Sequence, residues 1–476
     1  MTETAAAAPP STESRPRLAK DKMGVFSVAF FVFAAAAPIA ALVGSTPLIF
    51  AGVGPGAPLV MIAAAILIAV FAVGYLRMSR RIRNAGGFVV LVSRGLGNTA
   101  AGFAAGTVVA TYIGLSVGLW SLFGLFAEGL FAEWGIRIPA LLWAVVGVAV
   151  AGFLVIRGIG VSLSVLGVLL GFEIVCIAIL VVGILVNTPP SDFATPSVML
   201  EGAIGPGIGI AFLFTFAMFT MFEAPTVFSE EARNPERTIP RALYLVVTVI
   251  AVLYAVSTWA ISANVGNDVI AAAAAENPDA FIYGVAAATV GDWFASVLSV
   301  LVVVSFIAMM IAVQNVFSRY VFSLSRAGVI PRGLSGVNAR KSPRIAAVVV
   351  AILIAALLAA FMLAGVDPFT LYSWMLGVGT TGFILVLTIA SIAVIVFFRK
   401  PGNGRGGAWS TIVAPMIAGL GTLGVLLLVL FNYEFVGGSD AAAWLLLLLI
   451  PVLGVIGAVL ARRGGRRVDF SDVIES

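Results

Sequence analysis

The sequence contains no histidine and a single cysteine, Cys176. The absence of histidine excludes histidine–metal sites, Ser-His-Asp triads and histidine proton relays. One cysteine excludes an intramolecular disulfide and a cysteine-based metal cluster, and its apolar neighbours predict an inert, buried thiol. We therefore expect no metal and no other cofactor. If the chain moves protons, carboxylates must carry them.

Charge is also scarce. Only 10% of the residues are charged and 61% are hydrophobic, with a mean hydropathy of +1.13, whereas soluble domains carry about 25% charged residues. This composition predicts a polytopic protein embedded in the lipid bilayer. The formal charge of +5 does not indicate a nucleic-acid partner, because the basic residues mark the orientation of the chain in the membrane.

Twelve apolar segments are long enough to cross a bilayer, which takes about 20 residues each. They are flanked by cytoplasmic tails at 1–22, which we expect to be disordered, and at 462–476. The predicted spans lie near residues 24–52, 58–78, 99–131, 138–157, 161–187, 207–232, 239–264, 289–326, 343–365, 368–398, 409–433 and 441–461.

The distribution of basic residues fixes the predicted orientation. Of the 27 Lys and Arg residues, only Arg137 falls outside when the N-terminus is placed in the cytoplasm. Basic residues concentrate in cytoplasmic loops, and a wrong span count would break this segregation. The sequence therefore predicts twelve spans in the cell (plasma) membrane with both termini in the cytoplasm.

Two spans carry signs of an interruption. A straight helix over 24–52 would be about 43 Å long, against a hydrocarbon core of about 30 Å, and Pro38 lies near its middle. The sixth span contains Glu223 followed by Pro225. A carboxylate inside a membrane span costs roughly 2.5–3.5 kcal/mol and so indicates a functional site. The alternative is an ordinary proline kink, but paired breaks in two halves favour a transporter site at mid-membrane.

Three sequence motifs, taken together with these features, indicate a family resemblance. They are GYLRMSRRIRNAGGFVVLVSRGLG at 74–97, FAMFTMFEAPTVFSEEARNPERTIPRA at 216–242 and QNVFSRYVFSLSRAGVIPRGLSGVNARKSPR at 314–344. Together, and in this order, they resemble the amino acid–polyamine–organocation (APC) transporter family. The resemblance implies a leucine-transporter-like fold of two inverted five-helix repeats, with helices 1 and 6 interrupted. The first repeat would cover 23–187, the second 207–398, and two further helices 409–461.

The sequence departs from the family pattern at both breaks. Ala37, Pro38, Ile39 and Ala40 stand where members often have Gly-Ser-Gly-like residues, and Met221 replaces a common glycine. Both changes make the predicted pocket more apolar and favour a neutral substrate.

An interrupted helix exposes free N–H groups at one new end and free carbonyls at the other, which suits the carboxylate and the ammonium of an amino acid. Side chains need not make these contacts, so we expect backbone binding at 37–40 and 219–222, with nearby aromatic and polar side chains around it. The predicted substrate-binding set is Ala37, Pro38, Ile39, Ala40, Thr111, Tyr112, Phe216, Phe219, Thr220, Phe222, Glu223 and Asn315.

Several of these residues have a second interpretation. The phenylalanines could pack or face lipid, and threonine hydroxyls commonly bond back to their own helix. Glu223 could bind the substrate amine or titrate during transport, but bracing of the broken helix is the preferred interpretation. Tyr372 and Trp374, near the start of the tenth span, are typical of aromatics at the membrane interface.

Glu173 is the second deep carboxylate, in the middle of the fifth span. In relatives an ionisable residue on this helix, near the equivalent of a sodium site between spans 1, 5 and 8, is implicated in proton coupling. The resemblance therefore implies that Glu173 carries the coupled proton. The alternative is a permanently protonated, hydrogen-bonded glutamate.

The charged residues on the cytoplasmic side of the sixth and eighth spans predict an inner gate of paired charges, because both signs occur close together. The alternative is that they serve topology alone. The predicted gate residues are Glu230, Glu231, Arg233, Arg237, Arg319 and Arg326.

These observations predict a secondary transporter that imports an amino acid, neutral by preference, or a related amine. Protons are the expected coupling ion and sodium is a possible one. An ion-independent exchanger is the alternative. An integral-membrane enzyme would need a cluster of catalytic groups, and a channel would need polar pore rings or filter repeats; the sequence shows neither.

Overall fold

The computed structural model describes residues 24–82, 87–157, 163–220, 222, 233–336, 343–403, 407–437, 441–464, 468 and 470. Within these ranges the regular structure is helical and contains no strand. Backbone groups inside a bilayer must bond within their own segment, which a helix achieves. The predicted all-helical class is confirmed for this part of the chain. The predicted tail at 1–22 lies outside it.

The first half of the chain forms one divided helix followed by long apolar helices. The predicted boundaries agree with them to within a few residues, as for the third span, predicted at 99–131. The helices are α1 (Val25–Ala35), α2 (Pro38–Val53), α3 (Ala57–Ile82), α4 (Phe88–Leu96), α5 (Asn98–Glu133), α6 (Ala140–Ile156) and α7 (Leu163–Asn187).

The second half mixes long helices with short ones in the connections. The loop predicted between the seventh and eighth spans contains two of the short helices. The elements are α8 (Pro196–Ala203), α9 (Ile208–Met218), α10 (Pro235–Val265), α11 (Ile270–Glu276), α12 (Phe281–Thr289), α13 (Asp292–Arg326), α14 (Arg344–Leu363), α15 (Pro368–Arg399), α16 (Ala414–Phe431), α17 (Glu434–Gly437), α18 (Ala441–Leu447) and α19 (Leu449–Gly464).

Nine helical runs of the described chain are long and apolar enough to cross a membrane, which makes this a multi-pass membrane protein. The number is lower than the twelve predicted spans for identifiable reasons. Helices α2 and α3 form one continuous run over Pro38–Ile82, and α6 has only 17 residues. Helix α9 has only 11 residues and bends by 112° from α8.

The centre of the molecule is the crossing of α5 and α15. A side-chain carbon on Gly114 of α5 would lie 2.5 Å from the backbone nitrogen of Gly379 on α15. Only glycine lets two helix backbones approach so closely. This contact fixes α5 and α15 as one unit, and both helices contribute walls to the cavities described below.

Candidate functional site

The first interruption lies between α1 and α2 and consists of two residues, Ala36 and Ala37. The Ala36 amide donates to the carbonyl of Val32 (3.0 Å), which completes α1, and the Ala41 amide donates to Ala37 (3.0 Å), which starts α2. Between them Ala37 has a φ of 47°. This left-handed conformation costs an L-residue about 1–2 kcal/mol. The break predicted around Pro38 is therefore present, with Pro38 as the first residue of α2, where proline is favoured.

Glu173 connects this break to two other helices. Its side chain is 1% exposed. The Ile39 amide, in the first turn of α2, donates to Oε2 at 3.3 Å, and the Ser305 hydroxyl on α13 donates to Oε1 at 2.7 Å. Each carboxylate oxygen thus accepts one hydrogen bond from a different element. Helices α2, α7 and α13 meet at this one carboxylate.

The second interruption is predicted in the sixth span, where α9 ends at Met218. The Phe219 amide donates to Phe216 and the Thr220 amide to Ala217, both at 3.1 Å, so the backbone tightens into successive three-residue turns. The Thr220 hydroxyl also donates to the Ala217 carbonyl, at 2.7 Å. The Phe222 amide also donates to the Phe219 carbonyl, at 3.3 Å. The helix end therefore closes through local bonds; Met221 and residues 223–232 are not described.

A cavity lies beside both interruptions, and we call it the first cavity. The space open to the centres of water molecules is about 50 Å³, enough for about three to five waters. None of its described lining residues is charged. The lining residues are Ala36, Ala40, Ala41, Ser45, Tyr112, Leu115, Leu119, Leu122, Ala217, Met218, Thr220, Phe306, Met309, Val313, Tyr372 and Leu376.

A second cavity adjoins the first. It offers about 40 Å³ to the centres of water molecules, or about three to four waters. The two cavities share Tyr112, Leu115 and Thr220. The remaining lining residues of the second cavity are Phe88, Val108, Thr111, Phe383 and Val386.

Tyr112 stands where the two cavities meet. Its ring stacks on Phe317 of α13 with centroids 5.5 Å apart and planes at 14°, and its centroid lies 6.1 Å from that of Tyr320. Stacked aromatic pairs resist rotation of either ring. The ring of Tyr112 is therefore held against α13 at the junction.

The structure brings part of the predicted substrate-binding set to these cavities. Ala40 lines the first, Thr111 the second, and Tyr112 and Thr220 line both. The hydroxyl of Thr111 donates to the Thr107 carbonyl at 3.0 Å. The Thr220 hydroxyl donates in the same way to the Ala217 carbonyl. Both threonines therefore bond back to their own segment, as expected.

Other members of the set surround the cavities without lining them. Ala37 and Ile39 are buried at the break, as is Pro38. The Asn315 amide oxygen accepts from Arg319 Nε at 3.3 Å, which supplies the partner that an amide at mid-helix needs.

The three predicted phenylalanines, Phe216, Phe219 and Phe222, are each at most 2% exposed. For Phe222 the described contacts support packing. Its ring centroid lies 5.9 Å from that of Phe71 and 6.1 Å from that of Phe383. Glu223 and Met221 lie outside the described residues.

The interpretation of Tyr372 as an interface aromatic is wrong. Tyr372 is 1% exposed and lines the first cavity. Its hydroxyl lies 3.0 Å from that of Ser45 on α2, within hydrogen-bond distance. Position near the end of a span suggested the interface, but the hydroxyl finds its partner on a neighbouring helix instead of in the headgroup region. Trp374 is likewise buried, at 5% exposure.

Sequence reasoning missed most of the apolar lining. The sequence signal that could have pointed to these residues is the helical spacing of large residues along one face, which repeats every three to four positions. Tyr112, Leu115, Leu119 and Leu122 follow this spacing on α5, and Phe306, Met309 and Val313 follow it on α13.

The predicted inner gate is only partly described. Glu230 and Glu231 lie outside the described residues, so the pairing of charges stays a prediction. Arg233, Arg237, Arg319 and Arg326 are all exposed. The guanidinium of Arg326 lies 5.8 Å from the ring centroid of Phe322, within cation–π distance.

Two further expectations concern cysteine and metals. Cys176 is buried, at 5% exposure, three residues from Glu173 on α7. Within the described ranges, no group of three or more Cys, Asp or Glu side chains is placed to hold a metal ion.

Comparison with known proteins agrees with this geometry. The family model described as "Amino acid permease" matches residues 23–457. The branched-chain amino acid permease BcaP of Bacillus subtilis (strain 168) is 24% identical over 440 residues, which cover 87% of this chain and 89% of the relative. BcaP of Lactococcus lactis subsp. cremoris (strain MG1363) is 25% identical over 406 residues, covering 78% and 81%. The chain belongs to the amino acid permease family and is therefore a transporter of amino acids, not an enzyme.

Proposed function

We propose that this protein is a secondary transporter that imports neutral, branched-chain amino acids together with protons, by alternating access around the first cavity. Its architecture would be twelve spans, with inverted repeats at 23–187 and 207–398, two further spans at 409–461 and cytoplasmic tails at 1–22 and 462–476. Both termini would lie in the cytoplasm, with the protein in the plasma membrane. This orientation rests on the segregation of Lys and Arg.

The observation that carries the proposal is the meeting of three helix ends at one cavity whose described walls carry no charge. Ala40, in the first turn of α2, lines the cavity, and in the described part of the chain its amide has no hydrogen-bond partner. Ala36, which follows α1, and Met218, which ends α9, line it as well. An N-terminal end attracts the carboxylate of an amino acid, and two carbonyl ends attract its ammonium group.

The lining points to the class of side chain. Neither cavity contains a charged residue in its described walls, and a buried charge without a partner is costly. The substrate charges would therefore be limited to the zwitterionic head group. The apolar walls suit an aliphatic side chain, and the relatives named branched-chain amino acid permeases support the same class.

Glu173 is the proposed carrier of the coupled proton. The Ser305 hydroxyl can donate to a carboxylate or rotate and accept from a carboxylic acid, so it serves both states. Protonation at Oε1, which faces Ser305, leaves Oε2 bonded to the Ile39 amide, but the acceptor is then neutral and the bond between α2 and α7 is weaker. Protonation of Glu173 would thus loosen α2 from α7 and α13 at the place where α2 borders the substrate.

Uptake by purified protein in proteoliposomes tests the proposal. Leucine, isoleucine and valine uptake should rise with an inward proton gradient, fall with a protonophore and persist when choline replaces sodium. Putrescine should not compete. Uptake that ignores the proton gradient but rises with preloaded leucine would indicate the ion-independent exchanger. Absence of both uptake and thermal stabilisation by any amino acid would overturn the proposal.

A further inference from the structure

The two cavities follow each other along the same pair of helices. On α15 the lining runs from Tyr372 in the first cavity to Val386 in the second, and on α5 from Leu122 to Val108. At 1.5 Å per residue, each path is about 21 Å long. The second cavity therefore continues the first along α5 and α15, away from Tyr372.

The second cavity is built to receive apolar groups. Phe88 and Phe383 form two of its walls, with ring centroids 6.4 Å apart. Phe88 also packs against Tyr75 (5.5 Å), and Phe383 against Phe222 (6.1 Å). Packed aromatic rings make a preformed surface, which suits an apolar ligand group.

Two of the polar side chains that line this cavity use their hydroxyl protons within their own segments, since Thr111 donates to Thr107 and Thr220 donates to Ala217. None of the described lining residues is charged. These walls therefore offer no charged partner and no free threonine donor to the head group of an amino acid. Unlike the first cavity, it borders neither Ala36 nor Ala40 at the start of α2.

The volumes support a division of the substrate between the cavities. The first has room for about three to five waters, which suits the ammonium, the α-carbon and the carboxylate. A branched aliphatic side chain fills roughly the space of three to four waters, which is the capacity of the second cavity. The two cavities together have room for a whole branched-chain amino acid.

We propose that the second cavity is the side-chain subsite of the transporter and selects the length of an aliphatic side chain. The head group occupies the first cavity, and the side chain passes Leu115 and Tyr112 into the space between Val108, Phe383 and Val386. This inference rests on the proposed function, because it presupposes an amino-acid substrate. It adds to that function the location at which the transporter selects the side chain of its substrate.

Matched substitutions test the division. Val386→Phe fills the second cavity and Val386→Ala enlarges it, whereas Val313→Phe fills the first cavity with the same change. Ile392→Phe, at a position on α15 that is 47% exposed, controls for a new phenylalanine on the same helix. Competitive uptake of alanine, leucine and phenylalanine into proteoliposomes gives the readout.

We expect Val386→Phe to lower leucine uptake relative to alanine uptake by about tenfold or more, because even one methylene group in an apolar pocket can change discrimination by about tenfold. Val386→Ala should raise phenylalanine uptake relative to leucine. Val313→Phe should lower alanine and leucine by the same factor, and Ile392→Phe should match the wild type.

Two results would overturn the inference. Equal losses of alanine and leucine in Val386→Phe would assign the second cavity to the common path of all substrates. An unchanged preference in Val386→Ala would do so even if Val386→Phe failed to reach the membrane. Wild-type protein that neither binds nor transports any amino acid would instead refute the proposed function.

Discussion

The two interruptions beside the first cavity satisfy their backbone groups in different ways. At the first, Ala37 takes a left-handed conformation and the next free amide, that of Ile39, donates to a carboxylate from another helix, Glu173. At the second, the end of α9 closes on itself through short turns and the Thr220 hydroxyl. The first break therefore depends on distant helices and on an ionisable group, whereas the described part of the second depends on local bonds.

This difference assigns separate tasks to the two breaks. A break held by an ionisable group on another helix can respond to protonation, because the hydrogen bond between the helices changes with the charge of that group. A helix end closed by its own turns presents carbonyls in a fixed arrangement. We therefore expect substitutions at the first break to change ion coupling and those at the second to change substrate uptake.

The largest expected effect belongs to Glu173→Gln. Hydrogen bonds to a charged acceptor contribute about 1.5–3 kcal/mol, so uptake should fall about tenfold or more. Ser305→Ala removes one of the two donors and should have a smaller effect in the same direction. Initial rates of leucine uptake in proteoliposomes, corrected for reconstituted protein, provide the measurement. Full activity of Glu173→Gln would show that the first break does not depend on this carboxylate.

The next largest effect should come from Ala37. A β-branched residue at a φ of 47° is strongly disfavoured, so Ala37→Val should lower the melting temperature and reduce uptake several-fold. Ala37→Gly is the matched control, since glycine adopts this conformation freely, and it should raise the free energy of unfolding by about 1 kcal/mol. A well-tolerated valine would mean that the left-handed turn is not required.

Glu223→Gln addresses the second break. The sequence predicts that it lowers uptake of the correctly inserted protein, because the carboxylate braces the broken helix. The expected loss is smaller than for Glu173→Gln, since the described part of the second break closes through its own turns. Uptake across a range of external pH is the measurement. Full activity at every pH would remove Glu223 from the essential groups.

The smallest effect should follow from Tyr372→Phe. This change removes the hydroxyl that lies 3.0 Å from Ser45 but keeps the ring on the wall of the first cavity. A neutral hydrogen bond contributes about 0.5–1.5 kcal/mol, so uptake should change by less than about tenfold. Ser45→Ala should lower uptake to a similar extent, and the double variant should show no further loss of uptake. A larger loss in the double variant would show that the two hydroxyls act independently.

The sequence allowed the all-helical class, most helix boundaries and the position of the first break to be predicted. Long apolar runs and one proline in a helix too long for the bilayer are local signals, read without knowledge of packing. The importance of Glu173 was also accessible, because an isolated charge in an apolar run is unusual. Its partner Ser305 was not, since a serine on an apolar helix carries no signal until the neighbouring helix is placed.

The walls of the cavities were harder to predict. Which face of α5 or α13 points inward depends on the rotation of helices that are apolar on most sides, so lipid-facing and cavity-facing residues look alike. Tyr372 illustrates this difficulty. Its position near the start of α15 resembled that of an interface aromatic, and only the contact with Ser45 on α2 reveals its place at the cavity.

We propose above that Glu173, at the first break, carries the coupled proton. A pH-sensitive dye inside proteoliposomes, with leucine added outside in the absence of other gradients, measures it directly. We expect the wild type to acidify the lumen, and Glu223→Gln to do so in proportion to its leucine uptake. We expect Glu173→Gln to show residual leucine uptake without acidification. Acidification by Glu173→Gln in the same ratio to leucine uptake as in the wild type would contradict the claim.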